Sequence, residues 1–189
     1  MYHQYSEGII EVITGPMFSG KTEELIKRIR ILAYAGIKTL IIKPQFDNRF
    51  ANNALVSRSG VTMETHCATT VADIAKLLEQ ADYRALVIDE VQFFDKTLLA
   101  FVDAAANRGI RVIVSGLDQN FRREPFGIMP QLLAMAENVT KLKAVCLACK
   151  NAAACTLRKT SAQEEVALGD TTEYEARCRR CHVATTTAN

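Results

Sequence analysis

Two stretches of this chain carry residues whose types and spacing could act on one phosphate. Gly15, Pro16, Met17, Phe18, Ser19, Gly20, Lys21 and Thr22 fit the pattern G-x-x-x-x-G-K-[ST]. Such a loop curls its backbone N–H groups around phosphates at a helix N-terminus, where unpaired donors and the positive end of the helix dipole favour an anion. In it Lys21 would contact the β- and γ-phosphates of a nucleotide and the Thr22 hydroxyl would ligate Mg²⁺. Farther on, the apolar run 85–88 ends in Asp89 and Glu90. Asp89 suits the acid that holds Mg²⁺ directly or through water. Glu90, if it continues the strand, points to the opposite side and does not duplicate that role. A general base that orients or removes the proton of an attacking hydroxyl fits it.

The guanine-reading Asn/Thr-Lys-x-Asp segment and the Asp-x-x-Gly switch of signalling GTPases are both missing. That leaves a small-molecule kinase or an ATPase. An ATPase needs only water at the γ-phosphate, whereas a kinase must also build a pocket for an organic acceptor. Gln92, Phe93 and Phe94 set an amide and two aromatic rings beside the candidate base, and Leu117, Phe121 and Phe126 crowd a loop containing Gly and Pro. Stacking on a nucleobase is one use for such rings, and anchoring the loop in the core is the other.

Cys146 with Cys149, and Cys178 with Cys181, form two C-x-x-C knuckles separated by the segment 150–177. Four thiolates suit a closed, tetrahedral and therefore structural Zn²⁺ site that would pin the ends of that segment together. A redox dithiol is the competing reading. His182 abuts Cys181 and could replace it as a ligand, though the C-x-x-C spacing favours the cysteine. Cys67 and Cys155 have no partner pattern and read as buried thiols. His3 and His66 suggest no site.

These groups need elements to position them. Residues 9–14 form an apolar run and 22–35 switch to helical spacing, with Leu25, Ile26, Ile29, Leu32 and Ala33 on one face and Gly36 at the helix end. A strand follows at 37–43, a long loop at 44–62, and a helix at 71–80 with Thr70 as N-cap. The run 84–90 gives a third strand, 95–107 a helix stopped by Gly109, and 110–115 a fourth strand. Alternating strands and helices imply an α/β fold: a mainly parallel sheet with helices on both faces, whose ligands gather at the carboxyl ends of the strands. From Cys146 onward, short β-like pieces between paired cysteines suggest a small metal-bound unit, with a boundary near Thr140.

Composition agrees with a folded catalytic domain, at 49% hydrophobic and 23% charged residues in a chain of 189. A net charge of +2 with scattered basic residues lacks the stripe that binds a phosphate backbone, so nucleic acid is not expected as a partner. The polar N-terminus and the absence of an apolar run of about 18 residues predict neither export nor a membrane. The expected compartment is the cytoplasm, where cysteines stay reduced.

Taken together, the phosphate loop, the Ile88-to-Phe94 segment, Gly116 to Phe121, Pro125 to Gly127 and the two knuckles resemble, in order and spacing, the thymidine kinases of the bacterial and animal cytosolic type. The resemblance spans roughly residues 9–182. It implies a RecA-like P-loop domain over 1–140 and a zinc-binding unit over 141–189 whose lasso loop closes on the nucleoside. It also implies a homotetramer built as a dimer of dimers, and transfer of the γ-phosphate of ATP to the 5′-hydroxyl of thymidine or deoxyuridine. On the same resemblance Glu90 is the catalytic base and Asp89 the magnesium-side acid, while Asp47, Arg49 and Gln92 join the nucleotide side. Met17, Phe93, Leu117, Phe121, Phe126, Thr156 and Tyr174 line the nucleoside pocket, and main-chain groups of Glu165, Val166, Ala167 and Leu168 bond the base. By residue type alone Asp47 reads as a turn residue and Tyr174 as a strand residue. Two departures stand out. Val91 replaces a residue that is small in many relatives, and Asp170 follows Gly169 where the lasso often has two glycines, which alters the backbone conformations open to it.

Overall fold

The computed structural model of the chain describes residues 7–45, 54–56, 62–160 and 172–186. In order, the first elements are β1 (Ile10–Thr14), α1 (Lys21–Tyr34), β2 (Thr39–Pro44), a short antiparallel pair β3 (Ala54–Val56) and β4 (Thr62–Glu64), β5 (His66–Ala68) and α2 (Val71–Leu78). There follow β6 (Ala85–Ile88), a 3₁₀ turn (Val91–Phe93), α3 (Thr97–Asn107), β7 (Arg111–Gly116), α4 (Met129–Met135) and β8 (Asn138–Lys141). A smaller set completes the chain: β9 (Ala144–Val145) with β10 (Ala152–Ala153), β11 (Cys155–Arg158) with β12 (Tyr174–Arg177), and α5 (Arg179–Thr186).

Six strands form one parallel sheet in the order β5-β2-β6-β7-β1-β8. Its central strands are apolar on both faces because both are covered. Ile10, Val12, Leu40, Ile42, Leu86, Ile88, Val112 and Val114 pack with α2, α3 and α4 on one side. The alternating residues Ile13, Ile41, Val87 and Ile113 meet Leu25, Ile29 and Leu32 of α1 on the other. Glu11 interrupts the apolar run of β1. It is buried, bonds Arg111 Nε at 2.6 Å and pairs with Arg28, whose second nitrogen donates to Thr140 Oγ1.

Local signals explain the boundaries. Thr70 caps α2 in a capping box: its Oγ1 accepts from Asp73 N at 3.2 Å, and the Asp73 carboxylate accepts from Thr70 N at 2.9 Å. Gly36 and Gly109, both at positive φ, end α1 and α3 where their spacing predicts. Several expectations shift. The strand expected from residue 37 begins at Thr39, and the helix expected to reach 80 ends at Leu78. The expected loop 44–62 contains β3, while 46–53 and 57–61 lie outside the described residues. Asp89 and Glu90 lie beyond the end of β6. Glu90 takes a left-handed backbone, φ 50, at the head of the 3₁₀ turn, so its direction is set by that turn and not by strand alternation. Thr140, near the expected boundary, lies inside β8 and pairs with Ile13 of β1.

Candidate active site and metal centre

The sheet order makes β6, β7 and β1 neighbours, so whatever follows their carboxyl ends shares one rim. After β1 comes the phosphate loop, after β6 the acid pair, and after β7 the segment 117–128 with its aromatic residues. This is the rim at which an open α/β sheet takes its ligands.

In the phosphate loop Lys21 is buried at the start of α1 and donates from Nζ to the Pro16 carbonyl at 2.9 Å. Burial pulls its pKa down, while Glu90, Asp89 and Asp118 push it back up. The Met17 N–H donates to Thr156 Oγ1 at 3.0 Å, which ties the loop to β11. Thr22 is half-buried in the first turn of α1, and Ser19 Oγ is buried.

Asp89 is buried, with Oδ1 accepting from Glu90 N at 3.0 Å and from the hydroxyl of Ser115 at the end of β7. Burial raises its carboxyl to about 6, and the charge of Glu90 adds to the rise; the Ser115 bond and Lys43 oppose it. A carboxylate that costs this much to ionise in a dry site suits a place where a cation arrives. Glu90 Oε2 accepts from Gln92 Nε2 at 2.6 Å, and Gln92 Oε1 accepts from Leu117 N at 3.2 Å. The buried amide of Gln92 thus spans from the acid to the loop after β7.

That loop is braced internally. Asn120 Oδ1 accepts from Arg122 N and Glu124 N at 2.9 and 3.0 Å, and its amide donates to Glu124. Phe126 is buried and meets Phe93 edge to face, with centroids 5.7 Å apart. Phe121 carries the Arg158 guanidinium over its ring at 3.9 Å, and Arg158 donates to the Tyr174 hydroxyl at 2.6 Å. Phe94 belongs to the main core instead.

Of the residues expected at the site, the phosphate loop, Asp89, Glu90, Gln92, Phe93, Leu117, Phe121, Phe126 and Thr156 are linked through these contacts, and Tyr174 joins through Arg158. Asp47, Arg49, Glu165, Val166, Ala167, Leu168 and Asp170 lie outside the described residues. Sequence reasoning gave no role to Ser115, Asp118 or Arg158. Asp118 accepts from Thr14 Oγ1 at 3.2 Å and pairs with Lys141 at 2.6 Å, fastening the root of the phosphate loop to β8. An acid two residues past an apolar strand is the signal that could have marked it.

The sulfurs of Cys146, Cys149, Cys178 and Cys181 all lie within 4.8 Å of one another, with Cys149 and Cys178 at 3.6 Å. Tetrahedral thiolate coordination sets sulfurs about 3.8 Å apart, so this donor set fits one soft cation. Burial raises the Cys146 thiol, but backbone N–H groups of Cys149, Cys178 and Ala148 outweigh it and hold it at about 6. The neighbouring thiols of Cys178 and Cys149 push Cys181 up to about 12. Without a cation, four sulfurs this close do not all ionise. Cys181, not His182, completes the set: His182 is buried and its Nε2 meets the Phe121 carbonyl at 2.9 Å. Cys155 is buried as expected, whereas Cys67, expected buried, is only half so because β5 is an edge strand.

A family model described as thymidine kinase matches residues 8–182. A curated thymidine kinase of Mycoplasma mobile is 58% identical over 97% of this chain and 91% of its own length. One from Mesomycoplasma hyopneumoniae strain 7448 is 57% identical over 96% of this chain and 99% of its own, and one from Metamycoplasma arthritidis is 56% identical over 97% and 95%.

Proposed function

The chain belongs to the thymidine kinase family, and from that premise we propose that it transfers the γ-phosphate of ATP to the 5′-hydroxyl of thymidine, and of deoxyuridine, giving the monophosphate and ADP. The adjacency of three features supports this reading most: a phosphate loop, an acid pair of which Asp89 is buried, and an aromatic-lined loop at the ends of the neighbouring strands β1, β6 and β7.

In the proposed mechanism the backbone N–H groups of residues 15–22 and the Lys21 ammonium hold the triphosphate and offset charge as it develops. Thr22 and Asp89 would hold Mg²⁺, which when bound neutralises phosphate oxygens; Asp47 and Arg49 act on the same side. Glu90, oriented by Gln92, takes the proton of the 5′-hydroxyl as that oxygen attacks in line. Phe93, Leu117, Phe121, Phe126, Met17, Thr156 and Tyr174 enclose the nucleoside, and the main chain at 165–168 bonds the base. The lasso loop around 165–168 then closes and keeps water from the phosphate. Cys146, Cys149, Cys178 and Cys181 hold structural zinc, the chain divides into units 1–140 and 141–189, and the protein works in the cytoplasm as a homotetramer. Among the described residues no helix is long and apolar enough to cross a membrane.

The test is direct. Pure protein incubated with labelled ATP and each deoxynucleoside in turn should phosphorylate thymidine and deoxyuridine only. A methyl pocket should favour thymidine by about 1–3 kcal/mol. ATP hydrolysis that needs no nucleoside and rises with DNA would instead mark a nucleic-acid ATPase.

A further inference from the structure

The phosphate loop touches the metal-bound unit at three points that a purely local staple does not require. The Leu142 N–H, where the chain leaves β8 toward the cysteines, donates to Thr14 O at 2.7 Å, at the root of the loop. Gly15 packs so tightly on this stretch that a Cβ there would lie 2.6 Å from the Leu142 carbonyl. Met17 N–H is bonded to Thr156 Oγ1 of β11 at 3.0 Å. The third point is Phe18. Its half-buried side chain packs against the small core of the C-terminal unit formed by Ala144, Cys146, Ala153 and Ala176, on which Cys149, Cys178 and Cys181 also pack.

Phe18 also has a left-handed backbone, φ 66. A residue with a Cβ occupies that region at a cost of about 1–2 kcal/mol unless surrounding structure compels it. A positive φ following ordinary residues is what turns successive N–H groups into one anion-binding concavity. The phenyl ring, packed on that core beside Cys146, is the part of Phe18 that the surroundings grip. The core that grips it contains three alanines and a ligating cysteine and little else, so its integrity depends on whatever holds the sulfurs together.

We propose that the four-cysteine metal centre positions the phosphate loop through Phe18, so that metal occupancy and nucleotide binding are thermodynamically coupled. Phe18 is thus a positioning residue, acting on the backbone donors of the loop through its ring. The inference rests on the nucleotide-binding reading above and extends it, because it ties the donor site to the metal as well as the acceptor site. Coupling between two sites is reciprocal: if the metal tightens ADP, ADP tightens the metal by the same factor.

The experiment uses the metal-loaded full chain under reducing conditions. Metal is partitioned at equilibrium against a chromogenic chelator, with and without saturating ADP and without magnesium, and ADP affinity is measured separately by titration. Saturating ADP should raise the apparent metal affinity about tenfold, inside the 5–150-fold range usual for site-to-site coupling. A Phe18→Gly variant relieves the left-handed backbone but removes the ring. It should keep its metal, bind ADP about tenfold more weakly and lose the ADP-dependent shift. An unchanged metal affinity in the wild type overturns the inference, as does a Phe18→Gly protein in which ADP still shifts the metal by the wild-type factor. A wild type that binds ADP and phosphorylates thymidine without coupling defeats this inference alone, while one that does not bind ADP defeats the kinase reading with it.

Discussion

At the scale of single residues, the site turns on two adjacent carboxylates in unlike surroundings. Asp89 is buried against Ser115, and Glu90 is turned out by a left-handed backbone to meet Gln92. Glu90→Gln keeps the size and one acceptor oxygen but cannot take a proton. Turnover should fall about 10²–10⁴-fold while ADP and thymidine still bind, measured by steady-state rates beside equilibrium titrations. Near-normal turnover would remove the base from the mechanism. Asp89 gives a different prediction. Its carboxyl sits at about 6 in the fold against an ordinary 3.8, so the native state holds the proton more tightly than the unfolded chain. This group's contribution to stability is complete below about pH 4 and is lost as pH rises through 6. Without added magnesium, melting temperatures across pH 4–8 should include a fall that Asp89→Asn abolishes. The variant should be the more stable protein at pH 8 and the far poorer enzyme. The residue types of the loop and the acid pair were legible in sequence because backbone cradles and strand-end acids follow spacing rules. The direction of Glu90 was not, since nothing in an Asp-Glu pair announces a φ of 50.

At the scale of elements, the legible parts are those whose pattern is fixed by burial on two faces. β1, β2, β6 and β7 read as apolar runs because α1 covers one side and α2, α3 and α4 the other. β8 escaped notice because an edge strand with alternating exposure, Asn138–Lys141, carries no apolar run. α4 escaped because seven residues containing Pro130 are too few to establish a period. Glu11 shows the opposite risk, an acid inside an apparently apolar strand that the sheet tolerates only because Arg111 and Arg28 close on it. Glu11→Ala leaves the Arg111 charge buried and should cost about 3–5 kcal/mol in denaturant unfolding. A loss under 1 kcal/mol would show that water compensates the arginines. The loop after β7 has its own constraint at Gly127, whose φ is 53 and where a Cβ would lie 2.3 Å from the Gln92 carbonyl. Gly127→Ala must push Gln92 and with it Glu90, so kcat should drop by about 10²-fold with ADP affinity unaltered. Equal losses in both would point to general loosening of the domain.

At the scale of the whole molecule, the chain is two cores of very unequal means. The sheet carries two extensive apolar clusters, and neither includes a buried residue beyond Leu132. Among the described residues the C-terminal unit buries Ala144, Cys146, Ala153, Cys155, Leu157, Tyr174 and Ala176, mostly small side chains and a modest apolar area to set against the entropy of ordering its strands. Paired knuckles in the sequence signalled a metal; the fold adds where the unit meets the rest of the chain, through Leu142, Thr156, Phe18 and the contacts of Arg158 and His182 with Phe121, while the four sulfurs tie the unit's own ends together. Removing the metal with a chelator under reducing conditions should therefore unfold this unit and leave the sheet standing. Far-UV circular dichroism should lose a minor part of its signal, limited proteolysis should begin cutting within 143–186, and the single thermal transition should become two. Cys178→Ser should do the same without a chelator. If chelation instead melts the whole chain in one step, the β8–β1 seam and the phosphate loop transmit more of the sheet's stability than their few bonds suggest, and the two units are one cooperative body.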